Sequence, residues 1–234
     1  MILKWLKRVI LVLAVWLGVH VAAVGFRWTQ VTLHPVDPVP RVIEIDLRTD
    51  RTVRGPTVDI IGTRPTPSKG DFIGHMWVAW PLTPPGARPG SREAGYYADS
   101  QMQAVGAMAA SLLLPWGFVT GQAPVPGHMK ADDGWWRHFV IRIETDAAGL
   151  QRALAVDARW RAQRAYVLRP GLGPSGQAAT IACQDYAFEV ARALGLKVPG
   201  RRDWTRFPFG SFQELAAVNG LAGWIKAPGP AAGR

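Results

Sequence analysis

Cysteine is nearly absent: Cys183 is the only one in 234 residues, so no intrachain disulfide can staple the fold. Acidic residues are also few, 17 Asp and Glu against 27 Lys and Arg, which leaves a net charge of +10. The basic residues are scattered, with no long Lys/Arg block and no nucleic-acid motif, so no nucleic-acid partner is expected. A solvated basic surface, or attraction to anionic lipid head groups and acidic envelope polymers, fits the pattern instead. No phosphate-binding loop is present, because Gly171, Gly173 and Gly176 lead onward without a basic residue. The nucleophile-elbow pattern that a serine triad needs is missing. His128, Asp132, Asp133 and His138 lack a recognised ligand spacing, so neither a metal nor a cofactor is expected. There is no internal repeat.

What is present starts with 48% hydrophobic residues, enough for one domain with a substantial core. Lys4, Lys7 and Arg8 precede a stretch from Val9 to Phe26 that is uncharged and broken only by His20. Its length, about 27 Å as a helix, predicts a transmembrane anchor across residues 1–26, with the lipid bilayer as a partner. The basic flank predicts a cytoplasmic N-terminus and a periplasmic or extracellular domain. Trp5 and Trp28 suit the interfaces. A cleaved signal segment is the alternative, with Val21 and Ala23 before the cleavage site, and the chain is then secreted. Residues 27–40 read as a connector, 41–226 as the folded domain and 227–234 as a Pro/Gly/Ala tail.

Within the domain, residues 41–47, 58–61, 72–80, 93–99, 135–144 and 165–168 read as strands. Residues 101–114, 147–164, 180–195 and 212–218 read as helices. The fold class expected is α+β with a mostly antiparallel sheet. The proline-rich stretch 81–91 reads as a hairpin loop between the strands at 72–80 and 93–99.

Two residues carry the chemistry. Cys183 stands three residues after Thr180, a plausible N-cap, so its sulfur falls in the first helical turn, where unpaired amides and the helix dipole favour an anion. His75 lies in the apolar segment Gly74-His75-Met76-Trp77-Val78. An imidazole there can take the thiol proton and return it to a leaving group, while the Cys183 N–H helps hold an oxyanion. The plainer reading stays open. Cys183 shares a helical face with Ala187, Val190, Ala191 and Leu194, as a buried hydrophobe would, and a histidine within an apolar strand is often a satisfied core residue.

These two segments resemble a known family, the circularly permuted papain-like thiol enzymes related to NlpC-type peptidases and to lecithin:retinol acyltransferase. The likeness rests on Gly74-His75-Met76-Trp77-Val78 and on Ala182-Cys183-Gln184-Asp185-Tyr186-Ala187. The latter is similar to the Asn-Cys-x-x-Phe-Val helix start of acyltransferase-type members, with Ala182 in place of the asparagine. The order, histidine before cysteine, is the permuted one. The resemblance implies a permuted papain-like fold whose sheet packs against the cysteine-bearing helix, with Cys183 as nucleophile and His75 as general base.

It also implies a third, orienting group on the strand after the histidine strand. A hairpin centred near residues 87 and 88 puts the position opposite His75 near residue 100, which makes Asp99 the candidate. Ser100, Gln101 or a tyrosine of the Tyr96-Tyr97 pair are the alternatives. Acyltransferase-type members use a second histidine, and residues 93–101 contain none, so a Cys-His dyad is also open. The function expected is a membrane-anchored, outward-facing thiol hydrolase that cleaves an amide or peptide bond in the cell envelope. A lipid acyl hydrolase or acyltransferase using the same pair, and an inactive binding module of the same fold, are the alternatives.

Overall fold

The computed structural model describes residues 2–32, 39–66, 74–113, 121–134, 136–168, 181–200 and 208–226. Seven strands and six helices lie within them. The strands are β1 (Arg41–Asp46), β2 (Thr57–Thr63), β3 (His75–Ala79), β4 (Glu93–Ala98), β5 (Val125–Ala131), β6 (Phe139–Glu144) and β7 (Ala165–Tyr166). The helices are α1 (Ile2–Thr32), α2 (Gln101–Leu113), α3 (Ala147–Ala162), α4 (Cys183–Leu194), α5 (Pro208–Val218) and α6 (Ala222–Lys226). The strands form one mixed sheet in the order β1-β6-β2-β3-β4-β5-β7, with β1 parallel to β6 and every other neighbouring pair antiparallel. The class is α+β.

The centre of the sheet is buried on both faces, which is why β2 and β3 read as nearly continuous apolar runs. Val58 and Ile60 of β2 and Met76 and Val78 of β3 enter the main core with residues of α3, α4 and α5. Ile61 and Trp77, one step along each strand, form a second cluster with Val140. Helix α4 buries Tyr186, Ala187, Val190, Ala191 and Leu194, each at most 2% exposed, on the stripe that its 3.6-residue period sets. It stops at Gly195, whose φ of 106° suits the left-handed cap that glycine adopts without a Cβ penalty. Helix α3 starts where the Asp146 carboxylate accepts the Gly149 N–H at 2.6 Å. Helix α5 sits close to the sheet because Gly62 offers no side chain; a Cβ there would lie 2.5 Å from Phe212 Cγ.

The expected transmembrane helix requires correction. Among the described residues, no helix is long and apolar enough to cross a membrane. Further elements differ from expectation. β5 and α6 were not predicted, and β6 starts at Phe139 rather than near residue 135. The expected tail, residues 227–234, lies outside the described residues.

Candidate active site

The chain reaches the cysteine through a two-way backbone bridge, with the Val167 and Ile181 amides each bonded to the other's carbonyl at 2.9 Å. Ala182 is extended and caps α4 with its backbone alone. Its carbonyl accepts from the amides of Asp185 at 3.0 Å and Tyr186 at 3.2 Å, while the Asp185 carboxylate takes the Ala182 N–H at 2.9 Å. Thr180, the cap expected from the sequence, lies outside the described residues. Cys183 is thus the first residue of the helix, among the amides that have no carbonyl one turn earlier. Its thiol donates to Gln184 Oε1 at 3.3 Å.

His75 opens β3 immediately after Gly74, whose φ is +74°. Its backbone N–H donates to Thr63 Oγ1 at 3.0 Å. The imidazole stacks on Trp77 at 5.5 Å between centroids and lies 4.4 Å from the ring of Tyr97. Its Nε2 is 3.3 Å from Asp132 Oδ2. Asp132 has no exposed surface, and its other oxygen accepts the Tyr97 hydroxyl. Burial opposes a charged imidazole, but the charges of Cys183 and Asp132, and the hydrogen bonds His75 makes to both, outweigh it and raise the His75 pKa to about 10. The structure therefore brings Cys183, His75 and Asp132 together.

Gly95, on β4, makes room for this arrangement. A Cβ there would fall 2.2 Å from Asp132 Oδ2 and 2.5 Å from His75 Nε2. A second set of contacts holds the stacking partner: Trp77 Nε1 donates to Glu93 at 2.7 Å, and Arg137 bonds the other Glu93 oxygen.

Asp99 is not beside His75. It pairs with His128 Nδ1 at 2.5 Å, and both side chains are about half exposed. The cause is register. Val78 lies opposite Ala94 and Ala79 opposite Glu93, which carries His75 to Tyr97 rather than past Ala98. Of the alternatives, Tyr97 reaches the site, Tyr96 turns its hydroxyl to the Ala165 carbonyl at 2.8 Å, and the Ser100 hydroxyl accepts the Gln103 amide at 3.3 Å. Gln101 opens α2.

The sequence did not point to Asp132 as the partner of His75, because Asp132 follows a strand that was not recognised. β5 reads Val125-Pro126-Gly127-His128-Met129-Lys130-Ala131 and lacks the apolar alternation of a recognisable strand. The period-two series His128, Lys130, Asp132 was the signal that places these residues on one face. His138 belongs elsewhere: its Nδ1 accepts the Arg64 amide at 3.0 Å, and burial, aided by the Arg64 charge, lowers its pKa to about 4. Asp133 accepts the Arg92 amide at 3.3 Å. Among the described residues, no group of three or more His, Cys, Asp and Glu side chains is gathered to hold a metal ion. Comparison with protein-family models, with curated proteins and with solved structures finds no match to this chain.

Proposed function

We propose that this chain is a thiol hydrolase that cleaves an amide or peptide bond through Cys183, His75 and Asp132. The observation that carries the reading is the buried His75 imidazole, bonded at Nε2 to Asp132 and coupled to Cys183. With Nε2 facing the carboxylate, Nδ1 is the nitrogen that serves the thiol. It takes the Sγ proton, and the thiolate attacks the substrate carbonyl carbon to form a C–S bond. The Cys183 N–H stabilises the oxyanion. Nδ1 then gives its proton to the leaving nitrogen as the C–N bond breaks. Water enters, loses a proton to Nδ1 and bonds through oxygen to the acyl carbon; the C–S bond breaks, Nδ1 returns the proton to Sγ, and the acid departs. Asp132 holds the ring in place through Nε2.

The chain order, histidine strand before cysteine helix, supports the likeness to permuted papain-like enzymes; Ala182 and the placement of Asp132 after β5 depart from it. An ester or thioester follows the same path, and an acceptor amine or hydroxyl in place of water gives acyl transfer. We place the substrate in the cell envelope, on the strength of the basic flank and apolar start of the chain. Recovery of all the protein from the cytoplasmic fraction would contradict that placement.

One observation favours a second reading, an inactive binding module: Cys183 is 2% exposed and His75 6%. p-Nitrophenyl acetate separates the two. Hydrolysis predicts a burst of nitrophenolate and an acetyl adduct on Cys183, absent from Cys183→Ser and slowed roughly 10²–10⁴-fold in His75→Ala. Absence of both burst and adduct supports the binding module, whereas a burst that persists in Cys183→Ser contradicts Cys183 as the nucleophile.

A further inference from the structure

The oxygens of a carboxylate without exposed surface need hydrogen-bond donors. Asp132 has such donors from two side chains: His75 Nε2 reaches Oδ2, and the Tyr97 hydroxyl reaches Oδ1. Its backbone amide points elsewhere, to the Glu93 carbonyl at 3.1 Å. The Tyr97 ring meanwhile lies against the imidazole at 4.4 Å, where the face of an aromatic ring favours a cation. One side chain thus touches both halves of the His75–Asp132 bond. Among the described residues, the charged or titratable groups facing Tyr97 include Asp132, His75, Lys130, whose ammonium is 5.6 Å from the ring centroid, and His128, opposite it in register.

We propose that Tyr97 is a positioning residue for the triad, its hydroxyl fixing Asp132 so that Oδ2 faces His75 and its ring holding the imidazolium in place. This rests on the Cys183–His75–Asp132 reading above. Phenylalanine at 97 keeps the ring and loses the hydroxyl; leucine loses both.

The test is the rate of Cys183 alkylation by iodoacetamide between pH 6 and 9, on the full chain, in wild type, Tyr97→Phe, Tyr97→Leu, Asp132→Asn, the double variant Tyr97→Phe/Asp132→Asn and His75→Ala. At pH 7, Tyr97→Phe slows labelling about 3- to 10-fold, the weight of one hydrogen bond. Tyr97→Leu slows it a further ~2- to 5-fold. In the Asp132→Asn background, Tyr97→Phe has no added effect, because the hydroxyl acts through that carboxylate. The differences narrow toward pH 9, where hydroxide can replace the imidazole as base. Wild-type labelling in Tyr97→Phe overturns the proposal, as do effects of Tyr97→Phe and Asp132→Asn that multiply. If Tyr97→Leu does not fold, the cycle with phenylalanine decides alone. Should His75→Ala label like wild type, the thiol–imidazole pairing itself fails; a normal loss in His75→Ala with a silent Tyr97→Phe defeats only the role of Tyr97.

Discussion

Alanine in place of Gly95 is the sharpest perturbation available to the triad. The added methyl would sit 2.2 Å from Asp132 Oδ2 and 2.5 Å from His75 Nε2, where carbon and polar atoms need well over 3 Å. Both colliding atoms are side-chain ends, so the pair moves before the strand does. Its bond is 3.3 Å long and does not survive a further displacement of about 1 Å. A hydrogen bond between charged groups contributes about 1.5–3 kcal/mol, or roughly a 10- to 150-fold change in rate when lost. The fold should lose stability of the same order, because the broken bond is buried, offset in part by the better strand preference of alanine over glycine. The assay pairs iodoacetamide labelling of Cys183 at pH 7 with a urea unfolding curve. Slow labelling is expected in a protein that is still folded without urea but has a lowered unfolding midpoint. Wild-type labelling in a folded Gly95→Ala protein would refute the argument that the His75–Asp132 bond drives thiol reactivity.

The two carboxylates separate in the same assay: Asp132→Asn should slow labelling roughly tenfold or more, whereas Asp99→Asn, on the exposed His128 pair, should stay within about twofold. Equal effects would contradict the placement. The two buried histidines make opposite contributions to stability. His75 binds its proton more tightly when folded, so its contribution is complete below pH 6.5 and lost as pH rises toward 10. His138 binds its proton more weakly when folded, so its contribution is lost as pH falls from 6.5 toward 4. Urea midpoints against pH should therefore lose their alkaline decline in His75→Gln and their acid decline in His138→Gln; unchanged slopes would contradict these assignments. Gly62→Ala drives a methyl against the buried Phe212 and should cost about 1–3 kcal/mol of overpacking. Unaltered stability in that variant would count against the close seating of α5 on β2.

The sequence made some parts of this molecule legible for clear reasons. β2 and β3 carry dense apolar runs, and α4 carries a single apolar stripe ended by Gly195, so tertiary packing and local pattern agree. Thus Cys183 and His75 could be found, since each lies at the start of a strongly patterned element. Asp132 could not, because β5 contains Pro126, Gly127 and Lys130 and buries few of its side chains. Pairing with β4 makes it a strand, and that information is non-local. Asp99 was chosen from an assumed loop centre, and a shift of a few residues in a proline-rich hairpin was enough to exchange it for Tyr97. At the N-terminus the sequence pattern pointed to a membrane-crossing helix, and no helix among the described residues is long and apolar enough to be one.

The most direct test of the central claim compares Cys183 alkylation at pH 7 in the full-length protein and in His75→Ala, with far-ultraviolet circular dichroism to show that both are folded. With one cysteine in the chain, the labelled product is unambiguous. A coupled thiol–imidazole pair predicts fast labelling in the wild type and at least about a tenfold loss in the variant. Equal rates in two folded proteins would mean that Cys183 and His75 are neighbours without shared chemistry.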